Sequence, residues 1–234
     1  MKAKAKAQII LVGSAGRVGQ EITKHIESSA AAELYASIDH KGRGDFVAID
    51  RVRPIKNAVV VDFSTTANFR ESLAWAVKMK LPFISGTTGL SAKDFAALGT
   101  AAKTVPLIWS SNMSPGICLF LDFIENFGKR LAEYDLLIEE AHHKRKKDAP
   151  SGTAKTLQSV LVRSTKKKWP EPISIRGGGI FGVHKLWVMG EEETITFEHT
   201  ALNRKVFARG AIAAAAWINK KKPGLYAMRD VFRS

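Results

Sequence analysis

The sequence predicts an α/β protein of two domains, a parallel-sheet domain followed by a mixed-sheet α+β domain. Strand and helix patterns alternate up to Asn112, and the rhythm changes near Met113. Regular alternation is typical of a parallel sheet with crossover helices. An alanine-rich helix near the C-terminus is long enough to pack back on the first domain. We therefore expect a first domain of residues 1–113 and 206–234 and a second of residues 114–205.

Five apolar segments of the first domain are predicted as strands. The third, AVVVDFS, is β-branched and continuous, as expected for a strand covered on both faces. Between strands, apolar residues recur at every fourth position, as at Val18, Ile22 and Ile26, which is typical of a helix. Residues 40–57 show no such stripe, so no crossover helix is expected there. The predicted strands lie at 8–13, 32–39, 58–64, 81–89 and 105–112, and the helices at 14–29, 66–80 and 91–104.

The second domain begins with a long apolar helix and continues through a strand and a second helix. Three consecutive segments with strand character follow, which favours a mixed or antiparallel sheet. The predicted helices lie at 114–134, 151–164 and, returning to the first domain, 210–221, and the strands at 135–143, 172–178, 183–190 and 193–202.

Composition restricts the class of protein. No apolar run reaches the roughly 18 residues of a membrane span. The basic segment Met1 to Ala7 lacks the features of a signal peptide, and we interpret it as a solvated lead-in. A single cysteine, Cys118, excludes an internal disulfide framework and fits a reducing cytoplasm. The net charge of +14 permits nucleic acid or anionic metabolites as partners and selects neither.

A glycine-rich turn follows the first strand and opens the first helix. Gly13, Gly16 and Gly19 suit a tight turn, close approach of a pyrophosphate and close helix–strand packing, respectively. Ala15 stands at the middle glycine position of the usual dinucleotide fingerprint. Asp39 ends the next strand, where an acid binds the hydroxyls of an adenine ribose. This context predicts a Rossmann-like dinucleotide-binding domain, although a purely structural turn remains the alternative.

Further turns at strand ends extend the predicted cofactor cleft. In an open parallel sheet, ligands bind at the carboxyl ends of the strands. His40 and Lys41, next to Asp39, are cations that suit a 2′-phosphate, so use of both NADH and NADPH is expected. The candidate cofactor-binding residues are Gly13, Ser14, Ala15, Gly16, Arg17, Val18, Asp39, His40, Phe63, Ser64, Gly86, Thr87, Thr88, Ser110, Ser111, Asn112 and Met113.

The stretch EEAHHKRKKDAPSGTAKTL (139–157) places histidines and lysines before a helix N-terminus. His142 and His143 are neighbours on a strand and point to opposite faces, so one metal ion is not expected to bind both. A histidine beside lysines can release a proton near neutral pH. First-turn amides at Ser151, Gly152 and Thr153 suit a carboxylate or phosphate. The stretch therefore suits a dianionic substrate that must be protonated, with a solvated basic loop as the alternative.

These residues resemble the dihydrodipicolinate reductase family, whose signature pairs two histidines with P-S-G-T-A. The likeness extends to VGSAGRVG, SGTTGL, SNMSPG and FEHTALNRKVFARGAIAAAAWI. It implies a lysine and diaminopimelate pathway enzyme in which a nicotinamide hydride reduces a cyclic dicarboxylate. It also implies a homotetramer formed through the sheet of the second domain. By match to the signature, His142 is the proton donor and Lys146 assists it, while His143, Ser151, Gly152 and Thr153 bind the substrate.

The chain departs from the family pattern at several points, and two other function classes are open to it. The segment between Asp39 and Asp62 is shorter than usual, and Gly179 stands where the family often has an aspartate.

A nucleophilic Cys118 would indicate a different Rossmann enzyme, but its apolar surroundings favour a buried structural thiol. A nucleic-acid binder is suggested by charge alone, without a groove-reading or base-stacking motif.

Overall fold

The computed structural model describes residues 5–233, which divide into two compact units. The first comprises residues up to 113 together with those from 204 onward, and the second comprises residues 114–203. The return to the first unit thus falls two residues earlier than the sequence pattern suggested. Of the expected lead-in, residues 1–4 lie outside the described part, and Ala7 already belongs to a strand.

The described residues contain ten strands and seven α-helices. The strands are β1 Ala7–Val12, β2 Ala32–Ile38, β3 Ala58–Asp62, β4 Phe83–Ser85, β5 Pro106–Trp109, β6 Asp135–His142, β7 Ile173–Arg176, β8 Val183–Met189, β9 Thr194–Thr200 and β10 Gly224–Tyr226. The helices are α1 Arg17–Glu27, α2 Thr66–Lys78, α3 Ala92–Ala101, α4 Pro115–Leu131, α5 Gly152–Thr165, α6 Lys205–Ile218 and α7 Met228–Phe232, with a 3₁₀ turn at Ile49–Arg51.

The sheet of the first unit is entirely parallel, in the order β10-β5-β4-β3-β1-β2. The chain passes from β1 to β2 on one side and then to β3 on the other side of β1. This reversal creates a switch point at the carboxyl end of β1, where open α/β sheets bind ligands. The central strands β1 and β3 are almost wholly buried, which explains their continuous apolar sequences. The predicted parallel sheet is confirmed.

Two short elements of the first unit were not predicted. β10 is a three-residue edge strand beside β5, and α7 is a five-residue helix. Both are too short to show a periodic pattern. Between β2 and β3, as expected, the chain forms no α-helix; Ile49 and Val52 instead bury their side chains in the core beside the 3₁₀ turn. α6, which also belongs to this unit, lies against α1.

The second unit is a four-stranded mixed sheet covered on one face by α4 and α5. The strand order is β7-β6-β8-β9, with β7 parallel to β6 and the other pairs antiparallel. Phe120 of α4 and Leu157 of α5 pack on Leu186 of β8 in this core. Phe123 stacks on Phe197 of β9, with ring centroids 4.4 Å apart. The predicted α+β architecture is therefore confirmed, and no helix among the described residues of this unit covers the other face of the sheet.

Within residues 5–233, no helix combines the length and the apolar character that crossing a bilayer requires.

Candidate active site

The glycine turn after β1 has the geometry that its sequence predicts. Gly13 has a φ of +83°, and a Cβ there would overlap the carbonyl of Phe63. A Cβ on Gly19 would overlap the carbonyl oxygen of Gly13, so this glycine is required for close helix–strand packing. Gly16 is the N-cap of α1 and supplies no capping side chain. The turn and the helix N-terminus thus fit the pyrophosphate of a dinucleotide.

Asp39 lies just beyond β2 and is already engaged by a cation. Its side chain is buried, and Oδ1 accepts hydrogen bonds from Arg43 Nε at 3.2 Å and from Lys41 N at 3.1 Å. Burial alone would raise the pKa of Asp39, but these hydrogen bonds outweigh burial and lower it. His40 and Lys41 are exposed. A cavity of about 350 Å³ beside the turn is lined by Ser14, Ala15, Gln20, Thr23, Lys24, Leu34, Ser37 and Arg43.

A buried carboxylate joins the turns that follow β3 and β4. Asp62 accepts a short hydrogen bond from Ser64 Oγ and bonds of 2.7 Å from Ser85 Oγ and Thr87 Oγ1. Burial raises the pKa of Asp62, against the effect of the three hydroxyl donors. A Cβ on Gly86 would overlap the ring of Phe63, so only glycine lets that ring lie against the second turn. The structure therefore brings together Phe63, Ser64, Gly86 and Thr87 of these two turns, whereas Thr88 is exposed.

The third turn, after β5, joins the same edge of the sheet. Ser110 N donates to Ser85 O at 3.1 Å, and Ser110 Oγ donates to Asn112 O at 2.6 Å. Trp109 Nε1 donates to Thr87 O at 2.9 Å, a contact that sequence reasoning did not anticipate. Met113, by contrast, is buried in the first unit, where Gly210 of α6 packs on its backbone.

In the second unit, His142 ends β6 and is held by a buried glutamate. Glu140 lies two residues earlier on the same face of the strand and forms a short hydrogen bond with His142 Nδ1. Arg176 of β7 binds Glu140 with both guanidinium branches, at 2.6 and 3.0 Å. Burial would raise the pKa of Glu140, but the bonds from Arg176 and His142 prevail and hold it at about 2. Glu140 is therefore an anion at neutral pH.

The opposite ring nitrogen of His142 faces a glycine. A Cβ on Gly182 would lie 3.1 Å from His142 Nε2, so the absence of a side chain leaves space there. His184 packs edge-on against the same ring, with centroids 5.2 Å apart. Burial lowers the pKa of His142, as do the charges of Lys146 and Arg176, whereas Glu140 opposes the shift. Burial also lowers the pKa of His184, to about 3, so His184 adds no charge near neutral pH.

The predicted helix N-terminus is present, and it is connected to the histidine. Ser151 is the N-cap of α5, and its Oγ accepts from Ala154 N at 3.1 Å. The backbone N–H of Ser151 donates to Glu140 Oε1 at 3.2 Å. The first turn of the helix, which begins at Gly152, is thus fixed beside the Glu140–His142 pair. A helix N-terminus in this position suits a carboxylate.

Lys146 differs from the other cations of its loop. Its Nζ forms an ion pair with Asp148 at 2.9 Å, and its side chain is only 21% exposed. Lys144, Arg145 and Lys147 are exposed, as expected of a solvated basic loop. Among the described residues, no cluster of three or more His, Cys, Asp or Glu side chains is arranged to hold a metal ion.

Sequence reasoning missed several residues of these two sites. Glu140 shares a strand face with His142 at a spacing of two, which was a usable signal. Arg176 lies on β7 and Gly182 directly precedes β8, so their proximity to His142 depends on strand pairing. Arg43 lies in a loop without periodicity. Cys118 is 2% exposed within α4, as expected for a structural thiol.

A switch-point glycine turn in one unit and a buried glutamate–histidine pair in the other are features of a two-domain oxidoreductase with a dinucleotide-binding domain. The chain belongs to the dihydrodipicolinate reductase family. Its residues 7–113 match the family model "Dihydrodipicolinate reductase, N-terminus", and residues 116–232 match "Dihydrodipicolinate reductase, C-terminus".

Individual relatives agree with this membership. The chain is 47% identical to the 4-hydroxy-tetrahydrodipicolinate reductase of Bdellovibrio bacteriovorus, over 97% of this chain and 96% of the relative. It is 37% identical to that of Rickettsia bellii, over 96% and 94%. Dipicolinate-bound dihydrodipicolinate reductase from Paenisporosarcina sp. TG-14 has the same fold, with a TM-score of 0.71, 22% identity and coverage of 95% and 98%.

Proposed function

We propose that this chain reduces 4-hydroxy-tetrahydrodipicolinate to tetrahydrodipicolinate in lysine and diaminopimelate biosynthesis, with NADH or NADPH as the reductant. The relatives at 47% and 37% identity carry the name of this activity. The observation that carries the proposal is the common attachment of His142 and the N-terminus of α5 to Glu140. This attachment supports the proposal, because an imidazole and backbone amides suited to a carboxylate are held by the same side chain of one unit.

The reaction needs a hydride, a proton and a site for two carboxylates. The reduced nicotinamide, when bound, would supply the hydride to a ring carbon of the substrate after the substrate hydroxyl and a hydrogen of the neighbouring ring carbon have left as water. The resulting enamine of the substrate takes a proton on the adjacent carbon, which we assign to His142. Lys146 holds the substrate and assists this transfer. His143 and the backbone of residues 151–153 bind the carboxylates.

The low pKa of His142 in the free protein is compatible with this role. Burial and nearby cations favour the neutral ring. Two substrate carboxylates beside the ring would favour the protonated form, because opposite charge stabilises the charged state of an imidazole. We therefore propose that His142 takes up its proton as the substrate binds. The protonated ring of His142 is then available as the general acid in the proton-transfer step.

The first unit is the proposed cofactor domain, and both dinucleotides fit its residues. Asp39 provides a carboxylate for ribose hydroxyls, and Arg43, Lys41 and His40 provide cations for a 2′-phosphate. The pyrophosphate would bind at the turn from Gly13 to Val18, with Arg17 exposed in the first turn of α1. Turns 63–64, 86–88 and 110–113 complete the proposed cleft.

We also propose that the second unit mediates self-association, as a homotetramer. The face of its sheet opposite α4 and α5 carries apolar side chains, including Ile173 at 48% and Ile175 at 44% exposure, and Trp187 lies on the same face. A second copy of the same face would remove these side chains from water. The single cysteine fits the cytoplasmic location that this pathway implies.

A coupled spectrophotometric assay tests the function. The purified protein is mixed with NADH or NADPH and the freshly formed product of dihydrodipicolinate synthase, and the reduced nicotinamide band is followed. We expect its absorbance to fall only when the synthase product is present. A mixture lacking the synthase provides the control. No consumption of either dinucleotide would contradict the proposal.

A further inference from the structure

The carboxylate of Glu140 receives hydrogen bonds from three parts of the second unit. It is fully buried, and it accepts from His142 of its own strand, Arg176 of β7 and the backbone of Ser151. A buried carboxylate that receives an N–H from an imidazole favours the tautomer protonated at that nitrogen. Nδ1 of His142 is thereby committed to Glu140, and Nε2 is left as the nitrogen available for proton transfer.

Arg176 extends this connection to the loop that carries Lys146. Its Nη2 donates to the backbone carbonyl of Asp148 at 2.7 Å in addition to Glu140. The side chain of Asp148 in turn pairs with Lys146 Nζ at 2.9 Å. One guanidinium therefore contacts both the carboxylate that orients His142 and the loop segment that orients Lys146. The planar fork of arginine can serve two acceptors at once, which the single ammonium of lysine does less well.

Resting on the proposed function, we propose that Glu140 and Arg176 are positioning residues of the reductase. They hold His142 with Nδ1 protonated and Nε2 directed toward the substrate, and they fix the loop of Lys146 relative to that ring. Gly182 completes the arrangement, because a side chain at that position would approach within 3.1 Å of Nε2. Neither Glu140 nor Arg176 is required to touch the substrate.

The charges around His142 set the direction of its response to the loss of Glu140. The groups that face the ring are Glu140 on β6, Arg176 on β7, His184 on β8 and Lys146 in the loop. Glu140 is the only anion among these four. Its replacement by a neutral amide leaves two cations facing the imidazole, which disfavours the imidazolium and lowers the pKa of His142. A proton donor with a lower pKa loses its proton at a lower pH.

The substitution Glu140→Gln tests the proposal while it preserves shape. We expect kcat to fall at least about 10-fold, which is less than the roughly 10²-fold effect of losing an acid–base group, because His142 itself is retained. KM should change much less, and the limb on which kcat falls with rising pH should move to lower pH. Glu139→Gln is the matched control, since Glu139 lies on the opposite face of β6 and bonds Trp187 Nε1 at 3.1 Å. Its kcat and pH profile should remain those of the wild type.

Arg176→Lys tests the connection to the loop, and Arg163→Lys is its control. Arg163 forms an exposed ion pair with Glu125 at 3.0 Å, so its replacement by lysine should leave kcat unchanged. Arg176→Lys keeps the positive charge but loses the two-branched guanidinium that bonds Glu140 and the carbonyl of Asp148 together. We therefore expect kcat to fall again at least about 10-fold. Should Glu140→Gln fail to fold, the kcat and pH profile of Arg176→Lys decide the matter. Wild-type kcat and pH profile in a folded variant would overturn the proposal.

A readout independent of turnover separates this proposal from the assigned activity. Nitrogen-15 NMR of the histidine rings reports which nitrogen carries the proton, and the His142 signal is identified by its loss in His142→Gln. The spectra are recorded at a pH at which the ring of His142 is neutral. In the wild-type protein we expect this neutral ring to be protonated at Nδ1, and we expect the preference to be weaker in Glu140→Gln. An inactive wild type with this tautomer would refute the function alone. A wild-type ring protonated at Nε2 would refute the positioning role.

Discussion

Arg43 Nε lies 3.2 Å from Oδ1 of Asp39. The acid that the sequence assigns to an adenine ribose is thus accompanied by a cation four residues later. A carboxylate at this position suits the two hydroxyls of NADH, whereas a guanidinium suits the 2′-phosphate of NADPH. The carboxylate and the guanidinium therefore both lie at the carboxyl end of β2, which supports the proposal that either cofactor binds.

Substitutions of Asp39 and of Arg43 should shift the preference between NADH and NADPH in opposite directions. We expect Asp39→Ala to weaken the use of NADH more than that of NADPH, because the ribose hydroxyls lose their acceptor. Arg43→Ala should weaken NADPH use more than NADH use. The measurement is kcat/KM for each cofactor, with Arg51→Ala, an exposed arginine of the 3₁₀ turn, as the control. Equal losses with both cofactors would refute the ribose assignment.

The proposed proton donor and its assisting lysine should be needed for turnover. His142→Gln and Lys146→Ala are each expected to lower kcat by about 10²-fold or more, the usual scale for a lost acid–base group. Lys147→Ala provides a control from the same loop, since its side chain is exposed and should contribute little. Steady-state kinetics with saturating cofactor measures the effect. Wild-type turnover in both site variants would show that the roles are wrongly assigned.

Two glycine-to-alanine substitutions should change stability in opposite directions. At Gly19 the new Cβ would overlap the carbonyl oxygen of Gly13, so we expect a loss of about 1–3 kcal/mol in the free energy of unfolding. At Gly99 of α3 the position is open, and alanine should stabilise the protein by roughly 0.5–1 kcal/mol. Urea unfolding monitored by circular dichroism compares the two. A Gly19→Ala variant as stable as the wild type would contradict the packing described for the turn.

The proposed assembly should depend on the open face of the second sheet. We expect Ile175→Glu to shift the protein toward smaller species, because an ionised carboxylate would have to be buried against a second copy. Ile195→Glu is the control: Ile195 is also exposed, at 52%, but it lies on the opposite side of the sheet. Light scattering after size-exclusion chromatography gives the masses. If Ile175→Glu keeps the wild-type mass, this face is not the interface.

Much of the fold could be predicted because it depends on local patterns. The β-branched run of β3 and the spacing of Val18, Ile22 and Ile26 indicate elements that the structure confirms. Ser151 was correctly placed at the start of a helix, since capping depends on residue type and on its immediate neighbours. The short elements β10 and α7 were missed because three to five residues carry too little periodicity.

The sequence by itself determined the parallel sheet, the glycine turn and the segment that holds His142, Lys146 and Ser151, because each depends on residues close together in the chain. Only the tertiary structure decided which groups surround them. Arg176 reaches Glu140 because β7 pairs with β6, and Gly182 lies beside His142 because β8 pairs with β6 on its other side. Such contacts follow from strand order and register, which are set by burial of the whole sheet and leave no mark on the local sequence.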